Sequence, residues 1–292
     1  MKKCIILLIL LLLLTGCSRS AQPAQIAATT LPVYEFTSRL CEGTPLTITR
    51  LVTEEVSCLH DYSLNVRQVK AAEAAELIVI SGAGLEEFME DILQDTNAID
   101  ASAGLELLCP ENSHAHEEAH YHEGHHHDQD PHIWLDPANA AVMAYNICQG
   151  LSEQYPGHAD IFSANLEMLT KELNALYTYG EATLRDLTCR DLITFHDGFA
   201  YLANAFDLHI LEAVEEESGS EASARELIHL IEEVVHHNLP AIFTEKSGSV
   251  SAAGVISRET GAAVHSLDMA MSGDSYFDAM YHNINTIKEA LG

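Results

Sequence analysis

Short apolar runs alternate with stretches of helical period along most of this chain. Gln25–Thr30, Leu46–Thr53, Leu77–Ser81 and Ala98–Asp100 read as strands, and Val33–Cys41, Val66–Ala75 and Leu85–Gln94 as the helices between them. After a helix from Pro137 to about Tyr155 the pattern changes. Phe162, Leu166, Leu169, Leu173, Leu176, Leu184 and Leu187 recur at helical spacing across 156–187. Fully helical, that stretch would reach roughly 45 Å; Gly180 weakens it without breaking it. The alternation then resumes, with strands at Asp191–Phe195, His209–Ala213, Ala241–Thr244 and Ala263–Leu267. Helices at Phe199–Ala205, Ser223–Asn238, Ser249–Thr260 and Tyr276–Leu291 separate or follow them. Strands alternating with helices predict parallel sheets. The expected fold is α/β: two lobes, 25–155 and 188–292, with parallel sheets flanked by helices and one long rigid helix at 156–187 joining them. Ligand would sit in the cleft between the lobes, at the carboxyl ends of the strands.

The start of the chain departs from this pattern. Lys2 and Lys3 precede an unbroken apolar run, Cys4–Leu14, too short for a membrane-spanning helix but suited to a secretory signal at 1–16. Leu14-Thr15-Gly16-Cys17 matches a bacterial lipobox, which makes Cys17 the expected lipidation site and 17–24 a tether. The expected location is therefore the outer face of a bacterial cell membrane, held by lipid. Outside the cytoplasm disulfides persist. Cys41, Cys58, Cys109, Cys148 and Cys189 are an odd set, with Cys41–Cys58 the favoured pair and Cys148–Cys189 a second guess.

Charge and histidine content then narrow the function. Of 292 residues, 44 are Asp or Glu against 14 Lys or Arg, a net charge of −30, which excludes nucleic acid as a partner. Seventeen residues are histidine. Seven of them (His114, His116, His120, His122, His125, His126, His127) fall within a low-complexity His/Glu segment at 111–130, a loop suited to loose binding of divalent ions. His236 and His237, near a helix C-terminus, read as partners of the helix dipole. No Gly-x-Ser-x-Gly, P-loop or His-Glu-x-x-His motif points to catalysis.

Four metal-competent side chains each follow a predicted strand: His60, His132, His196 and Asp268. His60 to His132 and His196 to Asp268 are both 72 residues apart, as if two ligands per lobe met across the cleft. Three imidazoles and a carboxylate suit tetrahedral Zn²⁺, whereas Mn²⁺ favours more oxygen. Asp61, Asp136 and Asp197 flank these histidines as candidate acceptors that fix the imidazole tautomers. A zinc hydrolase with an open water position would draw on a similar set of residues.

Taken together, DPHIWLDP (130–137), the His-rich segment before it, His60-Asp61-Tyr62, LIVISGAGLEEFM (77–89), Thr194-Phe195-His196-Asp197, Ile242-Phe243-Thr244-Glu245 and Leu267-Asp268 resemble the zinc/manganese substrate-binding lipoproteins of ABC importers. The resemblance covers essentially the whole chain beyond the leader. It implies a monomeric carrier that delivers its ion to an ABC permease, with His60, His132, His196 and Asp268 on the ligand positions. A histidine rather than a carboxylate at His196, and the His-rich loop, imply the zinc branch; a manganese-binding member of the family is the alternative. Ser57-Cys58-Leu59 and Leu267-Asp268-Met269 lack prolines common in the family's loops.

Overall fold

The computed structural model describes residues 23–56, 59, 62–108, 129–214, 223–246, 248 and 250–292. The leader, Cys17, Cys58, His60, Asp61, Cys109 and the seven loop histidines lie outside them.

Strands β1 (Ile26–Ala28), β2 (Ile48–Arg50), β3 (Leu77–Ile80) and β4 (Ala98–Asp100) form one parallel sheet in the order β2-β1-β3-β4. Strands β5 (Asp191–Thr194), β6 (His209–Ala213), β7 (Ala241–Glu245) and β8 (Ala263–Leu267) form a second parallel sheet, in the order β6-β5-β7-β8. The first and third strands of each lobe are central and covered on both faces. Their composition follows from that: Ile-Ala-Ala in β1 and Ala241–Phe243 in β7 have no exposed position to give to a polar residue. Helices α1 (Leu31–Leu40), α2 (Val66–Ala74) and α3 (Glu90–Leu93) complete the first lobe. Residues 85–94, expected as one helix, divide into a 3-10 turn at Glu87–Met89 and the single turn of α3.

The two sheets share one strand order, so β1 corresponds to β5 and β4 to β8. This removes the meaning of the equal 72-residue spacings. His60 falls between β2 and α2, whereas His196 lies two residues past β5; the paired residues do not occupy equivalent places.

Between the lobes run α4 (Pro137–Gln154), a 3-10 turn at Pro156–His158, and α5 (Ala159–Leu184). Twenty-six residues of α5 give a rod of about 39 Å. It buries Phe162, Leu169, Leu173, Leu176, Gly180 and Leu184 along one stripe. Gly180 has a reason to be there: a Cβ at this point would collide with the ring of Phe206. In the second lobe follow α6 (Ala200–Ala205), α7 (Ala224–His236), α8 (Ser251–Thr260) and α9 (Tyr276–Leu291).

The long helix is not the only tie between lobes. Buried residues of β1, β3, α4, α5, β7 and α9 belong to one continuous apolar core. Polar contacts add to it: the Leu31 N–H donates to the Met271 carbonyl (3.1 Å), and the Arg50 guanidinium to the Gly273 carbonyl (2.8 Å). Domain closure would have to break these contacts.

Cys148 and Cys189 do not pair; both are free thiols, as is buried Cys41, whose expected partner Cys58 lies outside the described residues. Cys148 lies six residues before the end of α4, and Cys189 follows the far end of α5. The intervening length of helix puts them roughly 30 Å apart, far beyond disulfide reach. Burial pushes the Cys41 thiol up to about 12, which keeps it protonated and unreactive.

Candidate metal centre

The segment entering α4 is built around one carboxylate. Asp130 Oδ1 accepts from the His132 backbone N–H (2.9 Å) and faces the His132 ring Nδ1 at 2.8 Å. An ionised carboxylate only accepts, so Nδ1 is the donor of this contact, and in the neutral ring that leaves Nε2 as the nitrogen open to a cation. Both side chains are almost completely buried, at 3% and 8% exposure, so water does not compete for this contact. The ring is also boxed in. Trp134 packs edge-on to it at 5.5 Å, and the Trp134 indole N–H donates to the Met269 carbonyl (2.7 Å), tying this loop to the one after β8. On another side lies Gly198, where a Cβ would come within 2.8 Å of the His132 ring.

His196 lies two residues past the end of β5, with Phe195 between, and is followed by a 3-10 turn at Asp197–Phe199. The His196 and His132 rings lie 5.3 Å apart, nearly perpendicular at 83°. Asp268, one residue past β8, is held by the fully buried Asn283. The Asp268 N–H donates to Asn283 Oδ1, and Asn283 Nδ2 donates to the Asp268 carbonyl, both at 2.7 Å. Its side chain is committed as well: Oδ1 accepts from the Ala270 N–H (2.8 Å), and Oδ2 pairs with Lys246 Nζ at 3.1 Å. That pairing raises the Lys246 amine above its ordinary value. Lys246 is more than half exposed, so an incoming cation can displace it into water.

A fourth group stands here that the strand-end reasoning passed over. Glu245 closes β7 and is buried. Burial pushes its carboxyl up to about 7; His132 pulls it down and Asp268 pushes it up further. Its field thus couples to both neighbours, and a bound cation would favour its ionised form. Glu245 is a carboxylate at the end of a fully buried strand, a position comparable to that of His196 just past β5.

The three expected acceptor residues fare differently. Asp136 caps α4, accepting from the Ala138 N–H at 2.7 Å, and is not the acceptor behind His132; that place belongs to Asp130. Asp followed by Pro137 at the first helical position is a helix-start signature, which accounts for the difference. Asp197 Oδ1 lies 3.8 Å from His196 Nε2, beyond hydrogen-bond length. Asp61 and its neighbour His60 fall outside the described residues.

The arrangement therefore brings the His132 and His196 rings together and couples Glu245 to both His132 and Asp268; among the described residues, no three of these four bring their ligand atoms within 4.8 Å of one another. A family model described as zinc-uptake complex component A, periplasmic, matches residues 26–290. The chain belongs to that family. Its members are components of metal uptake rather than enzymes, which removes the hydrolase alternative. Among curated relatives, a putative metal-binding protein of Treponema pallidum is 28% identical over 291 residues, covering 94% of this chain and 92% of the relative. The zinc-binding lipoprotein AdcA of Streptococcus pneumoniae is 27% identical over 312 residues, and the match spans 61% of AdcA. Matches to AdcA of Streptococcus pyogenes span 55% of that protein, so the chain corresponds to little more than half of these relatives. A crystal structure of ZnuA superposes with a TM-score of 0.77 at 26% identity, covering 92% of this chain and all of that one. Zn(II)-bound AdcA from Streptococcus pneumoniae, at 24% identity and a TM-score of 0.76, shares the two-lobed fold.

Proposed function

We propose that this protein captures Zn²⁺ outside the cytoplasm and delivers it to an ABC permease. In this reading His60, His132, His196 and Asp268 hold the ion between the lobes, and Glu245 balances its charge from beneath. The observation that carries the proposal is the His132–His196 pair: two imidazoles 5.3 Å apart and nearly at right angles, one with its Nδ1 held against buried Asp130. Neutral imidazole nitrogen is a donor suited to zinc, and an oxygen-poor set disfavours manganese. The zinc-bound structures of relatives, among them a 26%-identical ZnuA deletion mutant, support the same ion. Residues 1–16 would be removed as a signal peptide, and lipid on Cys17 would hold the tether 17–24 and both lobes at the membrane face, as a monomer. The loop histidines His114–His127 would gather zinc loosely, helped by the charge of −30.

The test is a competitive Zn²⁺ titration of three proteins: the mature chain, its His132→Ala variant, and a chain lacking 114–127. The proposal expects the first and third to bind one zinc tightly and His132→Ala to lose it. Loss of tight binding on loop deletion, with His132→Ala unaffected, would overturn the site. Metabolic labelling with palmitate, absent in Cys17→Ala, tests the anchor.

A further inference from the structure

We propose that the opposite end of the second lobe carries a separate, weaker divalent-cation site made by Glu233, His236 and His237. These residues close α7, and each offers a ligand atom within 4.8 Å of the other two. Glu233 and His237 are one helical turn apart, with His237 Nε2 at 3.4 Å from Glu233 Oε2. The His236 and His237 rings lie 4.8 Å apart between centroids. Two further groups approach from the sheet. Asp191 Oδ2 lies 4.0 Å from His237 Nδ1, and Asp191 Oδ1 lies 3.1 Å from His209 Nδ1. Two imidazoles and a carboxylate, with Asp191 and His209 at the margin, form a mixed nitrogen–oxygen donor set suited to Zn²⁺, Ni²⁺ or Cu²⁺ rather than Ca²⁺ or Mg²⁺.

Position makes the site independent of the metal centre. Asp191 and His209 are the first residues of β5 and β6, whereas His196 and Asp268 follow the ends of β5 and β8. From Asp191 to His196 the strand runs roughly 16 Å at 3.3 Å per residue. The site also lies at the C-terminus of a thirteen-residue helix, where the helix dipole favours positive charge. The dipole that would stabilise an imidazolium here stabilises a bound cation in the same place. His236 is exposed and His237 about one-third exposed, so ions reach the site from solvent without any lobe movement. Nothing like the buried Asp130 contact orients these rings, which is why the site is the weaker one.

The experiment titrates Zn²⁺ into the full mature chain beyond the first equivalent and follows the histidine side-chain resonances by NMR. Equilibrium dialysis of wild type and a Glu233→Gln/His237→Gln double variant counts the bound ions. The proposal expects His236 and His237 to shift together while His158 stays still. It also expects the double variant to lose one zinc equivalent and weaken binding at His236 about tenfold or more, with the first equivalent unchanged. Absence of any shift at His236 and His237, or equal zinc counts in the two proteins, would overturn it. A loss of the first equivalent only on His132→Ala would instead bear on the metal centre and leave this site standing.

Discussion

The same chemical pair, an imidazole beside a carboxylate, occurs in two settings in this molecule. His132 and Asp130 are buried at 2.8 Å, and the same carboxylate oxygen also accepts from the His132 backbone N–H. His237 and Glu233 sit at 3.4 Å on a helix surface, about one-third and one-quarter exposed. In the first setting water is excluded, and the ring is walled by Trp134, His196 and the bare face of Gly198, so its orientation is set before any ion arrives. In the second, solvent competes for both partners and the side chains must be ordered when the ion binds. Donor chemistry is similar in both places. What separates a carrier's tight centre from a loose surface chelate is preorganisation.

That contrast breaks most completely if the buried centre loses a ligand. His196→Ala should weaken the first zinc equivalent by roughly 10³-fold or more, since it would remove one nitrogen donor from the proposed four-ligand set; a fluorescent chelator competition reads this directly. Asp130→Asn keeps both rings but frees the tautomer, and should cost about 10–100-fold in zinc affinity. The melting temperature of the zinc-free protein serves as its control, because a purely structural role would appear there as well. Gly198→Ala pushes a methyl group toward His132 and should weaken binding about tenfold, while His237→Gln at the surface leaves the first equivalent unchanged.

A smaller effect concerns the zinc-free fold. Glu86 is buried and accepts from Thr29 Oγ1 (2.6 Å) and the Ser81 and Gly82 N–H groups (2.7 and 3.0 Å), yet burial raises its carboxyl to about 7. The folded state then holds a proton that the unfolded chain releases near 4.5. Stability from this group is complete below the unfolded value and is lost as pH rises through about 7. Urea unfolding between pH 5 and 7.5 should show a decline of about 1–3 kcal/mol that Glu86→Gln flattens.

Much of the architecture was legible in the sequence because the central strands are apolar runs and the long helix has a clear period. The single stretch 85–94 misled because its apolar positions fit a helix while its backbone breaks into a 3-10 turn and one α turn. Of the candidate ligands, His196 and Asp268 do stand just past apolar strands, whereas His132 lies 32 residues past β4, in the loop that enters α4. Asp130 and Glu245 were not singled out, for different reasons. Asp136 drew attention because it too flanks His132, although Asp before Pro marks a helix cap. Glu245 falls one residue past the expected strand Ala241–Thr244, and only tertiary packing couples it to His132 and Asp268. The equal 72-residue spacings were a coincidence of loop lengths, which the shared strand order of the two sheets exposes.

The most direct test of the central claim is zinc K-edge X-ray absorption on the one-to-one complex of the mature protein. The account predicts three imidazole nitrogens and one carboxylate oxygen at about 2.0–2.2 Å, with one imidazole lost in His132→Ala. A sulfur shell, an all-oxygen octahedral shell, or an unchanged spectrum in His132→Ala would contradict it.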